Sequence, residues 1–249
     1  MPVVLTDLHE GVRTITLNRP DRMNAMNGDL LAAVAGAFAD ANMDDATRAI
    51  VFTGAGAAFC AGDDLKDHRQ PETRAEAEAL VKVLQDCTRH MVLGEKVVVG
   101  AINGWAVGGG FEWAINCDLP IWSEQARAFF PEMDWGLFVT GAVTALLPAI
   151  VGLVKAREML MLGEKYDAWA LHEAGVAWRV VPPDRLLPAA QDVAARLAAK
   201  PQATLRDLKR VTNEAAFAGI ERALERETEA CVRSFLDPET TARVRHFTS

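Results

Sequence analysis

Three β-branched runs, each closed by a turn-forming residue and each followed by a helical pattern, set the limits on this fold. "VRTITLNRP" (12–20) alternates apolar and polar residues and stops at Asn-Arg-Pro, so it reads as a strand. "NGDLLAAVAGAFADAN" follows, with Leu30, Leu31, Val34 and Phe38 on one helical face and Asn27 placed as N-cap. "RAIVFTG" (48–54) is a second strand, residues 72–93 read as helix, and "VVVGAIN" (97–103) is a third, buried strand. A glycine run then opens another helix, and "DLPIWS" (118–123) is a fourth strand. The order β–α–β–α–β–α–β predicts an α/β core with repeated crossovers.

The second half differs. "TGAVTALLPAIVG", "KAREMLMLG" and "DAWALHEAG" are short apolar helical patterns parted by glycines, and "VAWRVVPP" is one strand closed by prolines. From about residue 184 the pattern is helical only. No Gly/Ser or Pro-rich linker divides the halves. The expectation is one α/β body, residues 1–183, with a helical C-terminal region, 184–249.

Bulk properties exclude several classes. No apolar run approaches the roughly 20 residues of a membrane span, and the N-terminus lacks the order of a secretory signal. The four cysteines, Cys60, Cys87, Cys117 and Cys231, form no close pair, which favours a reducing, cytoplasmic setting over a disulfide framework. The five histidines form no HExxH pattern, so no metal site is expected. A formal net charge of −8 argues against a broad basic face for nucleic acid. Any anionic ligand must then be held by backbone N–H groups or a few arginines. The glycines at 104, 108, 109 and 110 do not fit the GxGxxG dinucleotide fingerprint, and no GxxxxGK[ST] occurs.

Two loops carry the candidate chemistry. "GAGAAFCAGDDL" (54–65) follows a strand, is built of small residues, and leads into a polar, helix-starting stretch. Its backbone N–H groups can approach a ligand closely. The run Gly108–Gly110 does the same at a helix start, where unpaired donors favour a negative oxygen. Facing one another, the loops would form an oxyanion hole; the alternative is a pair of tight strand-to-helix turns. Glu112 follows the glycines among Phe111, Trp113, Ala114 and Ile115, and Glu132 lies in "AFFPEMDWG" behind Pro131. Each acid is either a helix-start or surface charge or a buried group of altered pKa. Two buried acids sharing one site could hold a water and titrate as a coupled pair, which suits proton chemistry beside an activated carbonyl.

In order and spacing, "ITLNRPDRMNAMN", "AFCAGDDL", "NGWAVGGGFE" and "FPE" resemble the enoyl-CoA hydratase/isomerase, or crotonase, superfamily, over about residues 3–235. The resemblance implies a spiral of ββα turns with a helical C-terminal region that drives assembly into a homotrimer or a dimer of trimers. It implies an acyl-CoA substrate, with coenzyme A as part of the substrate and no separate cofactor. The backbone N–H groups of Asp63 and Gly109 would polarise the thioester carbonyl, while Ala61, Asp63, Leu65 and Arg22 would contact the CoA moiety. Glu112 would activate a water toward C3, and Glu132 would deliver a proton to C2. The implied reaction is hydration of a 2-enoyl-CoA. The alternatives are isomerisation, hydrolysis or decarboxylation of a CoA thioester, or a non-catalytic binding protein.

Three departures from the family pattern stand out. Val139 and Thr140 occupy the place of an expected Pro-Gly, which bears on water placement and substrate choice. Asp63 puts a carboxylate at a donor position, with its side chain expected to face solvent. The tail "DPETTARVRHFTS" replaces a stretch that contributes to the CoA site, with Phe247 and the arginines as substitutes. Trp105, Trp113, Trp122 and Trp135 are expected in the core or at subunit contacts rather than around an aromatic acyl pocket.

Overall fold

A computed structural model describes residues 1–64, 66–67, 70–217 and 219–248, the last four of them in backbone only. Its strands are β1 (Val4–His9), β2 (Val12–Leu17), β3 (Ala49–Gly54), β4 (Ala58–Cys60), β5 (Val97–Ile102), β6 (Trp105–Val107), β7 (Leu119–Ser123), β8 (Arg127–Phe129), β9 (Tyr166–Asp167) and β10 (Arg179–Val181). The helices of residues 1–182 are α1 (Gly28–Met43), α2 (Arg74–Thr88), α3 (Gly109–Ile115), α4 (Glu132–Trp135), α5 (Val143–Val151), α6 (Leu153–Leu162) and α7 (Ala168–Glu173). Four more close the chain: α8 (Pro183–Ala198), α9 (Gln202–Ala216), α10 (Ile220–Phe235) and α11 (Pro238–Thr248).

The strands form two sheets. The larger has the order β1-β2-β3-β5-β7-β10, and the smaller β4-β6-β8-β9. Only the outermost pairs, β1–β2 and β8–β9, are antiparallel; every other neighbour is parallel. Three times the chain adds a strand to the large sheet, the next strand to the small sheet, and then a helix: β3-β4-α2, β5-β6-α3, β7-β8-α4. This is the spiral of ββα turns that the resemblance implied.

The apolar runs follow from burial on both faces of the large sheet. Successive side chains of a strand point to opposite faces. Ile50, Phe52, Val98 and Ile102 pack toward α1 and the main core. Ala49, Val51, Val99 and Ala101 face the other way, onto Leu186, Ala190, Val193 and Ala194 of α8. Helix α1 starts where the sequence predicted, with the Asn27 side chain accepting from the N–H of Leu30 at 3.0 Å. Thr73 caps α2 in the same way, accepting from Glu76. After the AGDD loop, by contrast, the expected helix start is a turn closed by the Asp67 N–H on the Asp64 carbonyl, and the helix begins only at Arg74.

The boundary expected at 183/184 coincides with the start of α8 but does not separate two cores. Leu224 of α10 belongs to the main cluster, and α8 covers a face of the large sheet. A second tie is the buried ammonium of Lys209 on α9. It donates to the carbonyls of Met91 and Lys96 at 2.7 and 2.9 Å and to Asp118 at 2.8 Å. Asp118 in turn accepts the N–H of Val98 in β5. All four cysteines are buried and unpaired. No helix among the described residues is long and apolar enough to cross a membrane.

Candidate active site

The "NRP" turn and the AGDD loop are built as one unit. The side chain of Asn24 accepts the N–H of Arg19 and donates to the carbonyls of Ala55 and Ala58. Met26 and the loop exchange backbone bonds: Met26 N–H to the Gly62 carbonyl at 2.7 Å, and Asp64 N–H to the Met26 carbonyl at 2.9 Å. Arg19 locks the pair, donating to the Ala25 carbonyl and, at 2.9 Å, to the buried carboxylate of Asp64. The segment carrying Asp63 is thus held by an internal ion pair. Sequence reading singled out Asp63; the structural partner is its neighbour Asp64.

The glycine run is shaped by what lies against it. Gly108 has φ of +52°, and a Cβ there would stand 2.5 Å from Oε1 of Glu132. At Gly110 a Cβ would fall 2.2 Å from the Cys60 carbonyl oxygen. Close approach of β4, and of an acid, therefore excludes side chains from this turn. Gly109 is the first residue of α3, so its N–H has no acceptor within the helix.

A narrow cavity of about 80 Å³ opens between these loops and α10. Its lining includes Ala61, Asp63, Gly109, Glu112, Glu132 and Thr140, which brings the sequence-predicted donors and both acids to one place. Apolar side chains, among them Leu80, Leu84, Leu137 and Phe235, line it as well. Arg22 is exposed and does not line the cavity. Leu65 lies outside the described residues, as does the side chain of Phe247. Of the four tryptophans only Trp135 lines the cavity. Trp113 and Trp122 are buried in the main core, and Trp105 is half-buried edge-on to Phe129.

The two acids have unlike surroundings. Glu112 is buried, and Thr140 supplies both of its partners. The Thr140 N–H donates to Oε1 at 2.7 Å and the hydroxyl to Oε2 at 2.6 Å. Burial pushes its carboxyl above the ordinary value, and the two Thr140 bonds pull against that shift. Glu132 as a residue is half-buried, but its Oε2 is fully covered and has no hydrogen-bond partner among the described residues. Burial, then the nearby charge of Glu112, push its carboxyl up to about 8; its own N–H opposes this and Asp63 adds to it. Asp63 is half-buried and lines the cavity. Two neighbouring carboxyls with unlike hydrogen bonding can divide the giving and the taking of a proton.

Another buried carboxylate, Glu227 on α10, was not read from the sequence. It accepts the N–H of Ala142 and both the N–H and hydroxyl of Thr144. Burial pushes it up to about 8 against the Thr144 bonds, with the charge of Glu112 adding to the rise. The signal was present: Leu224, Glu227 and Cys231 fall on one helical stripe. The dense charge of "ERETEA" hid an acid on an apolar face.

The enoyl-CoA hydratase/isomerase family model matches residues 7–246. The chain is 32% identical to 1,2-epoxyphenylacetyl-CoA isomerase of Escherichia coli, covering 92% of this chain and 88% of that protein. It is likewise 32% identical to crotonyl-CoA hydratase of Syntrophomonas wolfei, covering 91% and 87%. The crystal structure of an enoyl-CoA hydratase/isomerase from Mycobacterium paratuberculosis superposes with a TM-score of 0.92 at 27% identity, over 99% of this chain and 98% of that one. A ββα spiral, a small-residue loop facing a glycine-run helix start, and two acids in one cavity thus coincide with similarity along nearly the whole chain, which belongs to the enoyl-CoA hydratase/isomerase family.

Proposed function

We propose that the protein hydrates a 2-enoyl-CoA thioester to the 3-hydroxyacyl-CoA. The observation that carries this reading is the pair Glu112 and Glu132 in one cavity, one carboxylate held by donors and the other favouring its protonated form. The thioester oxygen sits at the N–H groups of Asp63 and Gly109. Water on Glu112 attacks C3 and gives its proton to that carboxylate; the C2–C3 π electrons move toward the carbonyl, forming an enolate. Glu132 then protonates C2 as the enolate collapses. The turnover leaves Glu112 protonated and Glu132 ionised, so a proton must pass back before the next cycle. Electrostatic support of such an oxyanion is worth about 3–4 kcal/mol per donor.

A second reading, isomerisation of the double bond, is favoured by one observation. Thr140 occupies both oxygens of Glu112, whereas Oε2 of Glu132 has no partner among the described residues. Glu132 alone would then carry a proton between carbons. A homotrimer or dimer of trimers, which the family resemblance implied, and a cytoplasmic location, which the scattered cysteines favour, remain part of the proposal.

The test is the loss of enoyl-thioester absorbance with crotonyl-CoA, run beside a 3-enoyl-CoA. Under the hydratase reading Glu112→Gln and Glu132→Gln each lower hydration by at least about 10²-fold, the usual scale for acid–base groups. If Glu112→Gln is neutral and Glu132→Gln is not, isomerisation replaces hydration.

A further inference from the structure

The segment from Thr140 to Thr144, which runs into the first turn of α5, is gripped from two sides by buried carboxylates of distant elements. On one side Glu112 of α3 accepts the N–H and hydroxyl of Thr140. On the other, Glu227 of α10 accepts the Ala142 N–H on Oε2 at 2.8 Å. Its Oε1 accepts the N–H and hydroxyl of Thr144 at 2.9 and 2.7 Å. Asn116 adds a bond to the Gly141 carbonyl at 2.8 Å.

The backbone between the two acids is not relaxed. Gly141 has φ of +69° and Ala142 φ of +56°. A residue with a Cβ adopts that left-handed conformation at a cost and keeps it only where its surroundings impose it. The Ala142 N–H bond to Glu227 is such an imposition, at the strained residue itself. The turn also presses on the first acid, since a Cβ at Gly141 would lie 2.7 Å from Cβ of Glu112 and 2.8 Å from its Oε2. Glu227 is 1% exposed and does not line the cavity. Its influence on the reaction therefore runs through the turn, beside the charge it shares with Glu112.

We infer that Glu227 is a positioning residue for Glu112: by holding Ala142 and Thr144 it fixes the turn whose Thr140 end orients the Glu112 carboxylate. Ala142 is the N-cap of α5 and Thr144 lies in its first turn, so these bonds also cap the helix; the Ala142 bond acts at the left-handed residue that joins the helix to the Thr140 end of the turn. The inference rests on the hydratase reading for what Glu112 does, but not for how Glu112 is held.

Two variants of the full chain test it. Glu227→Gln keeps the shape but sets an amide N–H₂ against N–H donors, and Thr144→Val removes one hydroxyl donor while keeping its volume. The first readout is amide hydrogen exchange over residues 138–145. Thr140 exchanges about tenfold faster in Glu227→Gln, the scale of one charged hydrogen bond, and by a smaller factor in Thr144→Val. Unchanged Thr140 exchange in both overturns the inference. The second readout is kcat, expected to fall about tenfold in Glu227→Gln with KM within about twofold. In a Glu112→Gln background the same change adds no further loss, because coupled residues are not additive. A lowered melting temperature with unaltered kcat, or independent multiplication of the losses, would make Glu227 a structural residue only. If Glu112→Gln leaves hydration intact while Thr140 exchange still rises in Glu227→Gln, the reaction assignment falls and the positioning role stands.

Discussion

Thr140 meets Glu112 twice, with its N–H on one carboxylate oxygen and its hydroxyl on the other, at 2.7 and 2.6 Å. A glycine in that position would supply only the first bond. The side chain that departs from the family pattern is therefore the one that completes the environment of the candidate base.

Replacing Thr140 by Val keeps the N–H bond and removes the hydroxyl. A hydrogen bond to a charged group is worth about 1.5–3 kcal/mol, so kcat for hydration falls about tenfold or more. Loss of a donor to the ionised form raises the pKa of Glu112 further. The acid limb of the rate profile accordingly moves to higher pH. A profile that superposes on the parent's would remove the hydroxyl from the mechanism.

Glu132 sets the other limb. With its carboxyl pushed up to about 8, the proton it owes to C2 is lost as pH rises through that value. Hydration at limiting substrate therefore falls above about pH 8. Stability follows the same sign: the contribution of a raised carboxyl is whole below its ordinary 4.5 and is gone once pH has passed about 8. Thermal melts of the parent between pH 5 and 9 should slope downward, and Glu132→Gln should flatten part of that slope. Parallel slopes would show that Glu132 titrates normally.

Gly108→Ala places a methyl group at 2.5 Å from Oε1 of Glu132 on a backbone with φ of +52°. The carboxyl must move, and a misplacement near 1 Å costs on the order of 10²-fold in rate. Activity should collapse while circular dichroism still reports the native fold. A variant within about threefold of the parent would show that Glu132 need not sit where it does.

Lys209→Met leaves the half-buried Asp118 without its cation and two carbonyls without their donor. Breaking such a pair costs about 3–5 kcal/mol, or roughly 10 °C in melting temperature for a chain of this size. The double variant with Asp118→Asn should recover part of the loss. A melting temperature within about 2 °C of the parent's would contradict the latch between α9 and the large sheet.

The strands of the large sheet from β2 to β7, the α1 cap at Asn27, the two donor loops and both acids were legible in the sequence. Each is signalled by local chemistry: β-branched runs, a capping side chain, glycines where side chains cannot fit, a carboxylate in apolar company. The strands β4, β6 and β8 were not legible from periodicity, because three residues such as "WAV" are too few to show an alternation. They appeared only through the motif resemblance.

By itself, then, the sequence determined the succession of β2, β3, β5 and β7 with the helices between them, where the glycines must fall, and which two acids stand beside them. Tertiary structure alone decided that Thr140 supplies both bonds to Glu112 and that Asp64 pairs with Arg19. It also turned Glu227 inward from a highly charged helix to grip the turn before α5. The reason is physical: which polar groups meet across a fold depends on how elements 25 to 85 residues apart are packed. Burial then sets the value of each meeting, since a carboxylate removed from water must either find donors or keep its proton.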